Sequence, residues 1–338
     1  MDMERFDPAT DAGSVRACHE IYLAGAPIDV AGHPPESYDT FAGWMIYGWT
    51  EDPSECWLAS DPAGRPRGWY RLTLPERENR HHAHVRLAVH PSSRRAGIGR
   101  ELVRHAGLRA LEAGRTVLMG ESQEGSPGEA FARTLGARPG TTEIHRVLRV
   151  DSVTPGHLAR LRNRAEPAAA GYSLVTWEGL VPDERLAEVA GICAAIEDAP
   201  QEPGLEAQRW DADRVRQSNQ RAAAQGLRSY TVGAQEDATG ELVALTEVGV
   251  EPALPSWGFQ GLTAVTRPHR GHRLGLLVKV AMMELLAERE PQLTHMLTGN
   301  ADGNEHMIAI NVELGYKPLD RWSSWQLDVS SVVEAQPA

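Results

Sequence analysis

Two segments of this chain repeat one residue pattern 176 positions apart. Residues 85–102 read VRLAVHPSSRRAGIGREL, and residues 261–278 read GLTAVTRPHRGHRLGLLV. Three residues of the first copy recur in the second: Val89, Arg94 and Gly99 as Val265, Arg270 and Gly275. In both copies an apolar strand passes through an arginine- and glycine-rich turn into an amphipathic helix, where backbone N–H groups and the helix dipole favour an anion. The pair predicts a fold that binds a pyrophosphate.

The chain length and the repeat together predict two domains. At 338 residues the chain exceeds what one hydrophobic core usually organises. We expect the first domain at 1–155 and the second at 172–330, with a linker at 156–171 and a tail at 331–338. Each half reads as a run of helices, a meander of three strands, and then helix, strand, helix and strand.

Composition narrows the class of protein and its partners. The net charge of −12 argues against nucleic acid, because phosphate backbones require clustered cations. No apolar run is long enough to cross a membrane, and three distant cysteines form no disulfide or metal pattern. We therefore expect a cytoplasmic protein, either a monomer or a homodimer, without membrane or nucleic-acid partners.

The turn Arg94-x-x-Gly97-x-Gly99 and the order of the elements resemble the GNAT acyltransferase superfamily, whose signature is Gln/Arg-x-x-Gly-x-Gly/Ala. The resemblance covers nearly the whole chain, once in each half, as in tandem GNAT proteins such as mycothiol synthase. It implies an α/β fold of two tandem GNAT-type domains. Each would hold a mostly antiparallel mixed sheet, splayed between its fourth and fifth strands, with helices on both faces.

The resemblance also implies acetyl-CoA, or another short acyl-CoA, as the cofactor. Strand residues would bind the pantetheine arm, and amides of the turn would bind the pyrophosphate. In the first half these residues are Leu87, Val89, Arg94, Arg95, Ala96, Gly97, Ile98, Gly99 and Arg100. In the second half they are Thr263, Val265, Arg270, Gly271, His272, Arg273, Leu274 and Gly275.

Each half departs from the family pattern in a different place. Arg273 replaces the middle glycine of the second turn, where its side chain could crowd the phosphate or contact it. The segment TGNADGNEHMIAINVELGY at 298–316 resembles the family's next strand-to-helix segment. There Asn304 would hydrogen-bond the pantetheine and Met307 would line its channel. The first half has no matching asparagine at 121–137.

Three residues are candidates for the acid–base chemistry of acyl transfer. His84 and Gln260 occupy the position where family members often place a glutamate base; histidine can act as a base near neutral pH, whereas glutamine can only orient a substrate. Glu247, on the preceding strand of the second half, could act through a water. The alternative for His84 and Glu247 is an ordinary solvated strand position. His82 and His84 share a strand face, but no further ligand is spaced to complete a metal site.

The family's usual acid is a tyrosine, and neither half has one at that position. Ala132 and Asn311 stand there instead. Tyr316 and Tyr172 are possible substitutes, although packing roles suit both of them better. Water could also protonate the departing thiolate and would leave no trace in the sequence.

Substrate contacts in this fold come from the first two helices and the loop between them. In the second half we expect Asp198, Glu202 and Trp210 to hold an ammonium group by charge and cation–π contact. A solvated acidic loop is the alternative for these residues. The leading hypothesis is an acetyl-CoA-dependent N-acetyltransferase that acts on a small amine by direct transfer in a ternary complex, with one catalytic and one degenerate half. A non-catalytic acyl-CoA sensor or sequestering protein and a protein or peptide acetyltransferase are the alternatives.

Overall fold

The computed structural model describes residues 1–48, 50–198, 202 and 204–334, with the backbone alone at 197 and 198. The strands are β1 (Asp2–Phe6), β2 (Ser54–Ser60), β3 (Pro66–Thr73), β4 (His82–Val89), β5 (Val117–Gln123), β6 (Arg138–Arg149), β7 (Tyr172–Glu178), β8 (Arg228–Glu236), β9 (Leu242–Val250), β10 (Trp257–Val265), β11 (His295–Ala301) and β12 (Lys317–Asp328). The α-helices are α1 (Ala12–Asp29), α2 (Tyr38–Tyr47), α3 (Ile98–Glu112), α4 (Pro127–Thr134), α5 (Pro155–Ala165), α6 (Leu186–Ala194), α7 (Ala212–Ala224), α8 (Leu274–Arg289), α9 (Glu305–Leu314) and α10 (Val329–Val333).

The described residues divide into two compact units. The first unit contains residues 1–142, the short segment Glu202–Glu206, and the chain from Asp320 onward. The second unit contains residues 143–198 and 207–319. The predicted domains 1–155 and 172–330 do not include this exchange of segments.

In the first unit the strands lie in the order β1, β2, β3, β4, β5 and β12. Neighbouring strands are antiparallel except β4 and β5, which are parallel and pair only from His82 to His84. Beyond His84 the two strands separate. The sheet is thus splayed between its fourth and fifth strands, as the family resemblance implies.

In the second unit the order is β6, β11, β10, β9, β8 and β7. The parallel pair here is β10 with β11, and its pairing runs only from Trp257 to Phe259. This unit therefore repeats the splay of the first. The α/β fold with a mixed, mostly antiparallel sheet in each half is confirmed.

The last strand of each half completes the sheet of the other unit. Residues Trp322–Asp328 of β12 pair antiparallel with β5, and residues Glu143–Arg149 of β6 pair antiparallel with β11. Both strands are twelve residues long, and each of them begins in one unit and ends in the other. The sheet of each unit therefore contains strands from both halves of the sequence, held together by main-chain hydrogen bonds.

The helix that follows each exchanged strand covers the main helix of the unit that it enters. α10 packs on α3, with Val332 against Gly107. α5 packs on α8 through Leu158 and Leu161, so α8 is buried on nearly every side. The predicted linker 156–171 is therefore mostly a packed helix and a 3-10 turn, Glu166–Ala169, within the second unit.

Helix starts follow the capping chemistry of the sequence. The Ser37 hydroxyl accepts a hydrogen bond from the amide of Thr40 at α2, and the Asp211 carboxylate accepts one from the amide of Arg214 at α7. None of the helices described here is both long and apolar enough for a membrane crossing.

Candidate functional site

The turn after each parallel strand carries two residues with left-handed backbone. In the first unit these are Arg95, with φ of 65°, and Gly97, with φ of 83°. In the second unit they are Gly271, with φ of 88°, and Arg273, with φ of 55°. The two turns therefore have the same backbone path but exchange the positions of glycine and arginine. Arg273 consequently keeps the shape of the turn at the cost of a strained backbone.

The turns leave the first amides of α3 and α8 available to a ligand. The N-cap residues Gly97 and Arg273 make no side-chain hydrogen bond to the helix that they precede. Both residues are exposed. A helix start with unsatisfied N–H groups and a positive dipole end is a site for phosphate. The residues predicted to bind pyrophosphate thus lie at a helix start without a side-chain cap in each unit.

The signature arginines hold the turn to the preceding strand. Arg94 Nε donates to the carbonyl oxygen of Val89 at 3.1 Å, and Arg270 Nε donates to that of Val265 at the same distance. Arg94 also binds the Asp29 carboxylate at 2.5 Å. These bonds position the turn, and they occupy part of the side chains that the sequence assigns to the cofactor.

The last glycine of each signature serves helix packing. A Cβ atom at Gly99 would lie 3.2 Å from the ring of Phe131 on α4, and one at Gly275 would lie 3.3 Å from Ile310 on α9. By contrast, nothing lies within 4 Å of a Cβ at Gly97 or Gly271. The glycines of the left-handed turn face open space, whereas Gly99 and Gly275 bring two helices together.

The splay gives β4 and β10 a strand edge without a partner beside the turn. Leu87 and Val89 pair on one side with β3, while β5 has already separated from the other side. Thr263 and Val265 pair with β9 in the same way, past the end of the pairing between β10 and β11. An unpaired edge offers the alternating N–H and C=O groups that an amide-containing arm requires.

The segment after the splay also differs between the units. Asn304 caps α9, and its Oδ1 accepts the amide of Met307 at 3.3 Å. Ser126 occupies the corresponding place in the first unit, where its hydroxyl accepts the amide of Glu129 at the start of α4. Asn304 retains an Nδ2 donor that serine lacks. Met307 is half-buried on the first turn of α9.

A β-bulge in β10 of the second unit places two residues opposite Glu247. The register shifts between Gln260, which faces Val248, and Thr263, which faces Thr246. No such shift interrupts the pairing of β3 with β4. Bulges often re-aim side chains beside active sites. The two units therefore differ at the strand that carries the signature.

Glu247 is the carboxyl group that this bulge faces. Burial raises its pKa to about 7. It shares the α6 side of the sheet with an apolar cluster that includes Cys193, Leu245 and Trp177. Burial and the nearby Glu247 charge raise the pKa of the Cys193 thiol to about 12, which keeps the thiol protonated. A carboxyl that gains and loses its proton near neutral pH can act as a general base.

Gln260 stabilises the bulge. Its Nε2 donates to Thr246 Oγ1 at 2.9 Å and to the carbonyl oxygen of Glu247 at 2.6 Å. The side chain is buried. These contacts favour a role in fixing the strand that carries Glu247, beside the substrate-orienting role predicted from the sequence.

The first unit has an arginine where the second has Glu247. Arg71 precedes Glu247 by the same 176 positions that separate Val89 from Val265. Arg71 is 4% exposed and lies opposite Arg86 on β4. His84 is exposed on the same strand face; the surrounding protein lowers its pKa, and nearby Asp52 partly opposes that shift. Reasoning from motifs missed Arg71, although the repeat offset identifies it.

The predicted substrate residues have separate environments. Both carboxylate oxygens of Glu202 are engaged within the first unit, by Thr141, Ser324 and Gln326. Trp210 is half-buried in the second unit, with the Arg214 guanidinium 5.2 Å from its ring centre. The side chain of Asp198 lies outside the described residues. The loop therefore anchors through Glu202, and Trp210 packs against the cluster beside Glu247.

A buried pair occupies the position of the family's acid in the second unit. Lys279 Nζ donates to Asn311 Oδ1 at 2.9 Å, and Asn311 Nδ2 donates to Asn300 Oδ1 at 2.7 Å. Burial lowers the pKa of Lys279 to about 7. Tyr316 is buried near the ammonium and its hydroxyl has no partner within the described chain. Lys279 also escaped motif analysis, although it is one of two lysines in the sequence.

Comparisons with known proteins agree with this geometry. The Acetyltransferase (GNAT) family profile matches residues 15–127. A tandem GNAT protein from the clavulanic acid biosynthesis pathway, solved without AcCoA, aligns with a TM-score of 0.81 and 31% identity over 97% of this chain and 98% of its own. No curated protein sequence matches the chain.

Two more distant structures share the fold. A GCN5-related N-acetyltransferase from Sphaerobacter thermophilus aligns with a TM-score of 0.67 and 17% identity, over 97% of this chain and 95% of its own. The glucosamine N-acetyltransferase region of a fungal multi-domain GH3 beta-N-acetylglucosaminidase aligns with a TM-score of 0.65 and 13% identity, over 96% of this chain and 38% of that one.

Proposed function

Because this chain belongs to the GNAT acetyltransferase family, we propose that its second unit transfers a short acyl group from acyl-CoA to a small amine, with Glu247 as general base. The observation that carries the proposal is the place of Glu247. It faces the bulge of the signature strand, and its pKa is about 7. Only a base that is unprotonated near the working pH can accept the proton that the amine nitrogen loses as it attacks the thioester.

The residues of the second unit divide the work of binding and proton transfer. Bound acyl-CoA supplies the thioester carbonyl that the amine nitrogen attacks. Amides at the start of α8 and the free edge of β10 hold the phosphates and the pantetheine arm, and Asn304 Nδ2 adds a donor. Glu247 accepts the amine proton as the new C–N bond forms. The C–S bond then breaks, and water protonates the thiolate.

The first unit carries the opposite charge at the position equivalent to Glu247, which disfavours the same reaction. Arg71 replaces Glu247, and a buried guanidinium repels an ammonium substrate. His84 remains a possible base on that face, but its neighbours Arg71 and Arg86 still disfavour a cationic acceptor. We therefore assign catalysis to the second unit and treat the first as degenerate for amine acylation.

The absence of a tyrosine acid favours one alternative, a protein that binds acyl-CoA without catalysis. Ala132 lies on α4, and Asn311 is fully buried between Lys279 and Asn300. Neither side chain can donate a proton to a thiolate. The place of Glu247 opposite the bulge of the signature strand argues against this alternative, because that position suits a general base.

The test is release of free thiol from acetyl-CoA in the presence of a panel of small primary amines. Wild-type protein should release thiol with at least one amine, and Glu247→Gln should lower turnover by about 10²–10⁴-fold with little change in acetyl-CoA affinity. Glu241→Gln, on the exposed β8–β9 hairpin, is the matched control and should retain full activity.

Each remaining outcome identifies a different function. Binding of acetyl-CoA without thiol release from any amine would support the binding protein. Acetyl mass shifts on basic peptides, with no acylated small amine, would support a peptide acetyltransferase. Full activity of Glu247→Gln together with loss in His84→Ala would move catalysis to the first unit.

A further inference from the structure

The face of the first unit that carries Arg71 holds a positive charge without a counterion. Arg71 Nε donates to the Met45 carbonyl oxygen at 3.4 Å, and Nη1 donates to Thr73 Oγ1 at 2.9 Å. Neither acceptor is charged, and no carboxylate of the described chain lies within ion-pair distance of Arg71. A buried guanidinium without an acid is costly, because burial removes its hydration.

The adjacent thiol does not supply the missing negative charge. Cys56 lies next to the Arg71 guanidinium, which opposes a rise in the pKa of the thiol. Burial outweighs that effect and raises the pKa of Cys56 to about 11. The thiol therefore stays neutral at physiological pH, and the charge of Arg71 remains uncompensated.

A second arginine, Arg86, lies beside Arg71 on the same face and is more exposed to solvent. Arg86 lies opposite Arg71 across the β3–β4 pair. The guanidinium carbon of Arg86 lies 4.3 Å from the ring centre of Trp44, and that of Arg71 lies 5.0 Å from it. Arg86 also binds Glu36 at 2.7 Å, and its side chain is 35% exposed. Glu36 neutralises Arg86, so Arg71 is left without an ion-pair partner among the described residues, and Arg86 lies beside it at the accessible end of the face.

The geometry points to a carboxylate-binding site in the first unit, made by Arg71 and Arg86 over Trp44. We propose that a small carboxylate-bearing molecule occupies it and supplies the counterion that the chain lacks. Both guanidinium groups lie over the Trp44 ring. The N–H donors of a guanidinium lie in one plane and match the two oxygens of a carboxylate. The proposal does not depend on catalysis by the second unit.

Charge reversal across the repeat supports the site independently. The position equivalent to Arg71 is Glu247 in the second unit, and the position equivalent to Arg86 is the apolar Leu262. The same surface of the fold is thus acidic and apolar in one unit and doubly basic in the other. If one copy accepts a cationic amine there, the other is built for an anion.

The experiment is calorimetric titration of the full-length protein with malonate, acetate and inorganic phosphate, and with ethylammonium as the cationic control. Wild-type protein should bind malonate or acetate, and Arg71→Met should leave any binding of ethylammonium unchanged. Arg71→Met should weaken carboxylate binding at least about tenfold, as expected for a lost charge-assisted hydrogen bond. Arg104→Met, at an arginine of α3 that pairs with Glu101, should bind as wild type does.

A third variant separates loss of the site from misfolding. Glu36→Gln removes the acid that neutralises Arg86 and should tighten carboxylate binding by about threefold to tenfold. A gain in affinity cannot arise from a damaged fold. The proposal is overturned if wild-type protein binds no carboxylate, if Arg71→Met binds as tightly as wild type, or if Glu36→Gln weakens binding. Phosphate binding that Arg71→Met weakens as much as it weakens malonate binding would overturn the assignment to carboxylates.

Discussion

Replacing Glu247 with glutamine should stabilise the protein while it removes most of the activity. The pKa of this carboxyl is about 7 in the folded protein, against 4.5 for an unperturbed glutamate. Between these values the folded state binds more protons than the unfolded state, so wild-type stability falls as pH rises through that window. At 1.36 kcal/mol per pKa unit, the ionised carboxylate costs at most about 3 kcal/mol above pH 7. Glutamine carries no charge and avoids this cost.

The assay is differential scanning calorimetry of both proteins at about pH 5 and pH 8.5, on either side of the folded pKa. A change of about 3 kcal/mol corresponds to roughly 6–12 °C in the Tm of a unit of this size. Glu247→Gln should gain most of that stability at the higher pH and little at the lower one. Glu241→Gln should differ from wild type by less than about 0.5 kcal/mol at both. A pH-independent difference for Glu247→Gln, or a loss of stability at the higher pH, would refute the argument that this carboxyl is buried and titrates near neutrality.

Three further predictions concern the packing of helices and the buried charges. Gly99→Leu and Gly275→Leu should each lower the free energy of unfolding, measured in urea, by about 1–3 kcal/mol, because the facing helix leaves no room for the added side chain. The control Gly191→Ala should raise it by about 0.5–1 kcal/mol. Equal effects of the three substitutions would contradict the packing role of Gly99 and Gly275. Because the pKa of Lys279 is about 7 in the folded protein, the unfolded chain binds one more proton than the folded chain between pH 7 and 10.5, and the free energy of unfolding of wild type should rise with pH over that range. Lys279→Met should remove this rise in denaturation experiments at pH 7.5 and 9.5. The same rise in both proteins would argue against a neutral buried amine. Glu202→Ala should cost about 1–3 kcal/mol by leaving buried donors unpaired, and unchanged urea stability would show that the anchor is dispensable.

The parts of the fold that local chemistry determines could be predicted from the sequence. The apolar strand, glycine turn and helix of each repeat form as predicted, and Ser37 and Asp211 cap the helices that they precede. These features depend on residues close together in the chain. The backbone path of both turns was harder to predict, because Arg95 and Arg273 adopt a conformation that arginine rarely takes.

The exchange of β6 and β12 could not be predicted, because it depends on pairing and not on pattern. Both strands are twelve residues long, and each follows a similar helix in its own half. The alternation of apolar and polar residues along these two strands does not indicate which sheet they join. The packing of 156–169 on α8 follows from that exchange, and a segment that reads as a linker therefore contributes to a core.

The chemistry around Glu247 in the second unit and Arg71 in the first could be predicted only in part from the sequence. Glu247 was a candidate from its strand, but its raised pKa comes from the apolar residues that α6 brings to it. Glu202 looked like a substrate contact because it lies in an acidic loop, and its actual partners come from distant strands. Arg71 was overlooked because motifs, and not the whole repeat, guided the comparison.

The most direct test of the account is the pH dependence of kcat for acyl transfer in wild type, Glu247→Gln and His84→Ala. The account predicts that wild-type kcat rises with pH and levels off above an apparent pKa of about 7, that His84→Ala keeps this profile, and that Glu247→Gln loses both the rate and the ionisation. A wild-type ionisation that survives in Glu247→Gln and disappears in His84→Ala would contradict the assignment of catalysis to the second unit.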